Sequence, residues 1–292
     1  MLAQIVLTPT ESKRLIAKGI SRMDVVKKAT EEGMIVMHPS SSTYFIVEEI
    51  TGEKPKTDYW VCGSITPKGM CQEMGTLSLT FRDRPDDIKL DPGTFSYSWV
   101  IRNRKVSSGE KLSTLLEQMG PKDVYVKGAN ALDPQGNVGV LVGHPTGAGS
   151  IGFVMAARRK RSFTLIFAAG LEKLIPIPMH EAAIEAKRMG CDYAMGMVVG
   201  LIPCKGGRKV TEIDAIEILS GSTAIPIAGG GLGGAEGAIT LVIKGKEEQV
   251  RKAIDYAEQS KGAKLPQFRL RSCYDCPNIN CKFPGGDKPW AT

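Results

Sequence analysis

The chain alternates short apolar runs with amphipathic segments, a pattern that predicts strands alternating with helices. Apolar residues recur at helical spacing from Ile16 to Val26 and predict a helix over residues 11–31. Uninterrupted apolar runs at 34–37 and 162–169 predict buried strands. Because strands separated by helices usually pair in parallel, we expect a largely parallel sheet. Ligands are then expected at the carboxyl ends of its strands.

The rest of the chain continues this alternation and contains one glycine-rich interruption. Further strands are predicted at 59–66, 76–81, 95–106, 123–127, 138–142, 224–228 and 238–243. Further helices are predicted from Tyr44 onward and at 111–119, 147–160, 179–189, 211–219 with Thr211 as N-cap, and 247–260. The glycine stretch 229–237 predicts a hinge. The chain therefore divides into an α/β ligand-binding domain at 1–228, an appended strand–helix unit at 229–265 and a cysteine-containing tail at 266–292.

Three glycines of that stretch, Gly229, Gly231 and Gly234, fit the spacing of a dinucleotide-binding loop. Such a loop must open a helix, whose N-terminus holds the pyrophosphate. The residues that follow have the pattern of a strand, so no dinucleotide site is expected here.

The composition is that of a soluble globular protein, with 42% hydrophobic and 24% charged residues. The longest uncharged apolar run of note, Tyr193–Cys204, is too short for a membrane helix, which needs about 20 residues. The N-terminal sequence lacks the features of a secretion signal, so we expect a cytoplasmic protein whose cysteines are not a disulfide framework. The net charge of +7 favours anionic ligands. The basic cluster 158–161 is better explained as a helix end than as a nucleic-acid site.

Four consecutive hydroxyl residues, Ser40, Ser41, Ser42 and Thr43, separate the strand 34–37 from the helix that follows. A helix N-terminus has unpaired N–H groups and the positive end of the helix dipole, so it binds phosphate readily. The alternative is plain capping, in which a hydroxyl satisfies the first N–H groups of the helix. Because four hydroxyl groups exceed what one cap needs, all four are candidate ligand-binding residues.

A second candidate segment runs from residue 127 to residue 152 and combines polar side chains with glycines. Glycines allow backbone N–H groups to approach a ligand closely. The candidate ligand-binding residues here are Gly128, Asn130, His144, Thr146, Gly147, Gly149 and Ser150. The alternatives are that 133–137 is only a hairpin turn and that His144 is an ordinary surface histidine. We expect this segment and the serine segment to line one cavity that binds a small anionic metabolite.

These two segments resemble motifs of ribose-5-phosphate isomerase. The order strand, SSST, helix is similar to the loop that holds the sugar phosphate in that family, and GANALD at 128–133 is similar to its GADE-x-D motif. HPTGAGSIG falls where the family has a second glycine-rich segment. The resemblance covers roughly residues 20–220 and extends to glucosamine-6-phosphate deaminases, CoA transferases and sugar-responsive repressor domains. It implies a three-layer α/β fold with a mostly parallel sheet, to which this chain adds a C-terminal strand and helix.

The same resemblance implies a sugar-phosphate isomerase-like enzyme, with Asp133 as the first candidate for a catalytic proton transfer. The chain departs from the family where a proton-transferring glutamate is expected, because Phe153–Arg158 contains no carboxylate. This departure favours the alternative, a non-catalytic metabolite-sensing or regulatory module of the same fold. A CoA transferase-like or nucleic-acid-binding protein is less expected, and a homo-oligomer is a further possibility.

The C-terminal tail contains a third candidate site, formed by Cys273, Cys276 and Cys281. The C-x2-C spacing lets two thiolates share one metal ion, and the third thiol follows nearby. A fourth ligand would come from Cys62, Cys71 or a histidine, and zinc is expected ahead of an iron–sulfur cluster. The alternative is a set of structural or oxidisable thiols. A metal here would anchor the tail rather than catalyse a reaction, because its binding free energy would couple to folding of this segment.

Overall fold

The computed structural model describes residues 1–55, 60–73, 98–143, 148–186, 191–276, 278 and 281. The predicted class is confirmed, since the chain is an α/β protein with a mixed, mostly parallel central sheet and further antiparallel sheets. The predicted strand 76–81 lies outside the described residues. Among the helices described, none combines the length and the apolar character that crossing a membrane requires.

The described elements largely follow the predicted alternation. The strands are β1 Leu2–Leu7, β2 Ile35–Met37, β3 Gly63–Thr66, β4 Gly69–Gln72, β5 Trp99–Arg102, β6 Lys105–Ser108, β7 Val124–Gly128, β8 Ala131–Leu132, β9 Val138–Val142, β10 Thr164–Ala168, β11 Gly200–Cys204, β12 Arg208–Val210, β13 Thr223–Gly229 and β14 Ile239–Lys244. The helices are α1 Pro9–Ser21, α2 Asp24–Glu32, α3 Ser41–Thr51, α4 Leu112–Gln118, α5 Gly149–Arg161, α6 Met179–Glu185, α7 Glu212–Ser220 and α8 Glu247–Glu258. The predicted helix 11–31 is thus divided into α1 and α2.

The central sheet has six strands in the spatial order β12-β10-β7-β2-β5-β6. The strands β2, β7, β10 and β12 run parallel, and β5 and β6 form an antiparallel hairpin beside β2. Successive strand residues point to opposite faces, so each face has its own hydrophobic core. Helices α1, α2, α3 and α7 pack on the face that includes Met37 and Val126. Helices α4 and α5 pack on the face that includes Val36 and Tyr125.

The N-cap of α7 is the predicted one. Thr211 Oγ1 accepts a hydrogen bond from the Asp214 backbone N–H at 3.5 Å, and the Asp214 carboxylate accepts one from the Thr211 N–H at 2.7 Å. This reciprocal pair satisfies two backbone donors at the start of the helix.

A second, antiparallel sheet has the order β1-β14-β13. The strand β1, which the sequence pattern does not predict, pairs with β14 from Leu2 opposite Lys244 to Leu7 opposite Ile239. The glycine stretch predicted as a hinge connects β13 to β14 as an antiparallel hairpin. Apolar residues of β14 and α8 belong to the same hydrophobic core as those of α1. The division of the chain near residue 228 stays a prediction, although this core joins the two sides of it.

Two smaller antiparallel units complete the described fold. Strands β8, β9 and β11 form a sheet on which α6 packs, and β3 and β4 form a hairpin. The hairpin is bridged to the segment before β11 through Met70 and Gly196. Gly196 has φ of +78°, and a Cβ there would collide with the backbone of Met70. Glycine is therefore required at this position for the two segments to meet.

Candidate functional site

A cavity with a volume of about 690 Å³ lies at the carboxyl edge of the parallel strands. Its wall includes His38 after β2, Gly128 at the end of β7 and Lys173 after β10. Open α/β sheets bind ligands at this edge. The β3–β4 hairpin, β9 and the start of α5 contribute further lining residues.

The serine segment begins α3 and lines the cavity through Ser40, Ser41 and Ser42. Ser40 is the N-cap, since its Oγ accepts a hydrogen bond from the Thr43 backbone N–H at 3.2 Å. Thr43 is buried behind the wall, where its Oγ1 donates to the carbonyl of His38 at 2.7 Å. Capping therefore accounts for Ser40 and Thr43, and it leaves Ser41 and Ser42 without an explanation.

Ser42 is only 1% exposed, and its Oγ has no hydrogen-bond partner within the described residues. Buried polar groups are nearly always hydrogen-bonded, so an unpaired hydroxyl in a cavity wall indicates a place where a ligand or water binds. Gly128 leaves space beside these serine hydroxyls because it has no Cβ. A Cβ at Gly128 would lie 2.9 Å from Ser40 Oγ and 4.0 Å from Ser42 Oγ.

Lys127 brings an ammonium group to the same cavity, one residue before Gly128. Lys127 is 5% exposed, and no carboxylate of the described chain pairs with it. Burial lowers the pKa of Lys127 to about 8, while the Cys62 and Cys204 thiols partly offset that effect. Burial, together with the charge of Lys127, also lowers the pKa of His38 well below its ordinary value, so the imidazole is neutral at pH 7. A buried cation without a partner is unfavourable, and an anionic ligand would supply that partner.

Two more lysines line the cavity. Lys13 of α1 pairs with Glu172, with 3.3 Å between Nζ and Oε1. Burial lowers the pKa of Lys173 to about 8, against the opposite effect of the Glu172 charge. Among the lining residues that the structure describes, three lysines accompany one glutamate, so the cavity has an excess of positive charge.

The second predicted segment contributes Gly128, Asn130, Gly149 and Ser150 to the wall. The Asn130 side chain is held in place because its Oδ1 accepts a hydrogen bond from the Leu141 backbone N–H at 3.0 Å. Gly149 and Ser150 are the first residues of α5, so a second helix N-terminus borders the cavity. The remaining candidates His144, Thr146 and Gly147 lie outside the described residues, and their roles stay predictions.

Asp133, the candidate for catalytic proton transfer, does not line the cavity. Its carboxylate is 2% exposed and accepts four hydrogen bonds of 2.7–3.0 Å, from the backbone N–H groups of Gln135, Asn137 and Met179 and from Asn137 Nδ2. Burial alone would raise the pKa of Asp133, but these hydrogen bonds hold it below its ordinary value. The carboxylate closes the 133–137 turn and ties it to α6. The geometry thus gives Asp133 a structural role.

The cysteine tail lies against the β3–β4 hairpin. Cys273, Cys276 and Cys281 line a second, smaller cavity of about 40 Å³ together with Cys71 of β4. Cys62, another possible fourth ligand, lines the larger cavity instead. In the part of the chain that is described, no three cysteine, histidine or acidic side chains already stand in a metal-binding arrangement. None of the seven cysteines is in a disulfide.

The sequence pattern did not identify the three lysines of the cavity as candidate site residues. Lys127 carries a detectable signal, because a charged residue in the otherwise apolar strand Val124–Gly128 is unusual unless it has a partner. Lys13 carries no such signal, since it belongs to an ordinary amphipathic helix. Its place in the cavity wall depends on how α1 packs against the rest of the chain.

The fold and the site define an α/β protein with a positively charged cavity at the carboxyl edge of a mostly parallel sheet. No protein-family model, no curated protein and no solved structure matches this chain. The function therefore has to be inferred from the chemistry of the cavity.

Proposed function

We propose that the chain binds a small phosphorylated metabolite in the large cavity, with the phosphate at the N-terminus of α3. One observation carries the proposal: Ser42 and Lys127 are both buried residues that line the same cavity, and neither the Ser42 hydroxyl nor the Lys127 ammonium has a described partner. Both groups donate hydrogen bonds, as do the free N–H groups at the start of a helix. A phosphate offers only charged acceptor oxygens, so it would satisfy these donors together.

The size and lining of the cavity support a ligand larger than phosphate alone. Small-molecule sites typically have volumes of about 300–1,000 Å³, and this cavity has about 690 Å³. Lys13, Lys173 and Asn130 lie in the wall and would contact polar groups of the ligand beyond its phosphate. Apolar residues of β9, Val140 and Val142, would contact its carbon skeleton.

Binding without chemistry is the function that the described residues support best. Isomerisation of a sugar phosphate needs an acid–base group within hydrogen-bond reach of the substrate. Asp133 lies elsewhere, and Glu172, the one carboxylate among the described lining residues, is paired with Lys13. A metabolite-sensing or regulatory module needs no such group. Isomerase-like activity is our second proposal, in which Lys127, with a pKa of about 8, would transfer the proton.

We also propose the finer fold type that the sequence predicts. A three-layer fold of the ribose-5-phosphate isomerase and CoA transferase type is supported by helices on both faces of the central sheet. It is also supported by the meeting of the serine and glycine segments at one cavity. A cytoplasmic location and a homo-oligomer stay predictions. Leu2, Val6 and Ile225 expose apolar side chains on the β1-β14-β13 sheet, which supports an oligomer, and sedimentation velocity would test it.

Ligand titration of the full chain tests the proposed binding. Inorganic phosphate, ribose 5-phosphate, glucosamine 6-phosphate and coenzyme A are used as probes in thermal-shift and calorimetric experiments. At least one phosphorylated metabolite is expected to raise Tm, because a ligand that binds only the folded state stabilises it. Ser42→Ala is expected to weaken its binding about tenfold or more, since a hydrogen bond to a charged group contributes about 1.5–3 kcal/mol.

Ser222→Ala is the matched control for Ser42→Ala. Ser222 is also 1% exposed with an unpaired hydroxyl, but it does not line the cavity. Neither substitution removes a described side-chain hydrogen bond of the unliganded protein, so both should leave Tm nearly unchanged. Equal affinities of the two variants, or no binding of any probe, would contradict the proposal. Exchange of solvent deuterium into a bound sugar phosphate would favour the isomerase-like alternative.

A further inference from the structure

The smaller cavity brings together four thiols from two distant parts of the chain. Cys71 lies on β4, whereas Cys273, Cys276 and Cys281 belong to the tail. Four cysteines are a common ligand set of structural zinc sites.

We propose that one zinc ion is bound by Cys71, Cys273, Cys276 and Cys281. The ion would hold the tail against the β3–β4 hairpin. Each thiol loses its proton to solvent as its Zn–S bond forms, so Zn²⁺ and four thiols give a tetrathiolate complex and four protons. Small movements of the side chains into the cavity between them would close the tetrahedron. The volume of about 40 Å³ suits a single ion better than a cluster of several iron and sulfur atoms.

The surroundings of the four cysteines suit the charge of such a complex. Four thiolates around Zn²⁺ leave a net charge of about −2, and Lys68 and Arg271 line the same cavity. The Nε of Arg271 is buried and has no hydrogen-bond partner in the described part of the chain. It would donate to a thiolate sulfur, as Thr66 Oγ1 already does to Cys71 Sγ at 3.5 Å.

The tail reaches the hairpin region through contacts that do not involve a metal. Trp60 Nε1 donates to the Gln267 carbonyl at 3.2 Å. Arg269 Nε lies 2.9 Å from Oε1 of the fully buried Glu73. These contacts place the tail cysteines near Cys71 before a metal binds, which reduces the conformational entropy lost on binding.

The proposed zinc site and the larger cavity share a wall. Met70, Gln72 and Met197 line both cavities. Asn278 Nδ2 donates to Gln72 Oε1 at 3.1 Å, and Met197 forms a β-bridge with Cys281. Removal of zinc is therefore expected to loosen this wall and to weaken binding in the larger cavity. Zinc binding itself does not depend on an occupant of the larger cavity.

Metal content of the purified full chain tests the proposal. Elemental analysis is expected to find about one zinc ion per chain. Cys71→Ser and Cys276→Ser should each reduce bound zinc at least about tenfold, because a three-thiolate site holds the ion less tightly. Cys62→Ser and Cys191→Ser are the controls, since neither residue lines the smaller cavity, and both variants should keep their zinc.

Zinc retained by Cys71→Ser, or a parent chain that takes up no zinc after reconstitution with Zn²⁺, would overturn the proposal. Iron with inorganic sulfide in place of zinc would also overturn it. Substitution of Co²⁺ into the parent chain covers the case in which a variant fails to fold. Its sulfur-to-cobalt charge-transfer absorption reports the number of thiolate ligands, and fewer than four would exclude the proposed set. Metal content is measured without any anionic probe, so it is independent of the ligand titration.

Discussion

Asp133→Ala is expected to lower the free energy of unfolding by about 3–5 kcal/mol at pH 7. The substitution removes a buried carboxylate that accepts four hydrogen bonds and leaves donors of Gln135, Asn137 and Met179 without partners. The Met179 N–H is buried and would lose its solvation without compensation, so the effect exceeds that of an ordinary hydrogen bond. Urea denaturation of the parent and the variant measures the difference.

Asp255→Ala is the control, because Asp255 is exposed on α8 and should contribute less than about 0.5 kcal/mol. The contribution of Asp133 should also depend on pH. Since hydrogen bonds lower its folded-state pKa below 3.8, the stabilisation is present above that pH and is lost as the pH falls through the folded-state pKa. Parent and variant should therefore approach each other in stability in acid. A fully stable Asp133→Ala protein that has lost an enzymatic activity would instead restore a catalytic role.

Lys127→Met is expected to raise the free energy of unfolding by about 3 kcal/mol at pH 7. The unfolded chain keeps the lysine charged and hydrated, whereas the folded protein buries the charge and lowers its pKa from 10.5 to about 8. Methionine fills nearly the same space without a charge, so it removes the desolvation penalty. The same substitution should weaken binding of a phosphorylated metabolite, because the ligand loses its buried cation.

The stability gain of Lys127→Met should depend on pH with a defined sign. Below pH 8 the folded protein carries the buried charge and the full penalty applies. The penalty falls between pH 8 and 10.5 and is absent above 10.5, so parent and variant should converge there. Lys105→Met, at an exposed position of β6, should show little difference at either pH. A Lys127→Met protein less stable than its parent at pH 7 would contradict the assignment.

Opposite changes in stability and affinity distinguish a functional residue from a structural one. A variant that folds poorly loses both properties, whereas Lys127→Met is expected to gain stability and lose affinity. Such a trade-off is typical of binding sites, where a group is kept despite its unfavourable burial. Asp133 is expected to show the reverse behaviour, with a large loss of stability and no direct effect on the cavity.

Much of the secondary structure could be predicted because it depends on short-range periodicity. The buried strands at 123–127 and 162–169 and the capped helix at 211–219 are confirmed with small shifts of their bounds. The strand β1 could not be predicted, because its pairing partner β14 lies at the other end of the chain. The pairing of β13 with β14 across the glycine stretch 229–237 could not be predicted, because glycines permit both a hinge and a hairpin connection.

Three candidate features could be recognised from the sequence, namely the serine segment, the glycines near residue 149 and the C-x2-C pair. Their possible chemistry depends on backbone geometry and on residues that are close in the sequence. The structural role of Asp133 could not be recognised, since Met179 reaches it from a distant segment. The sequence also left Cys62 and Cys71 as equal candidates for the fourth thiol, because only the packing of the tail places Cys71 in the same cavity as the tail cysteines.

Lys13, Lys127 and Lys173 line one cavity only when α1, β7 and the segment after β10 are packed together. The local sequence pattern thus determined the helices and strands and several hydrogen-bond donors of the site. Long-range packing determined which charged groups line the same cavity. Neither the burial of a group nor its distance from another group is fixed until the segments have packed together.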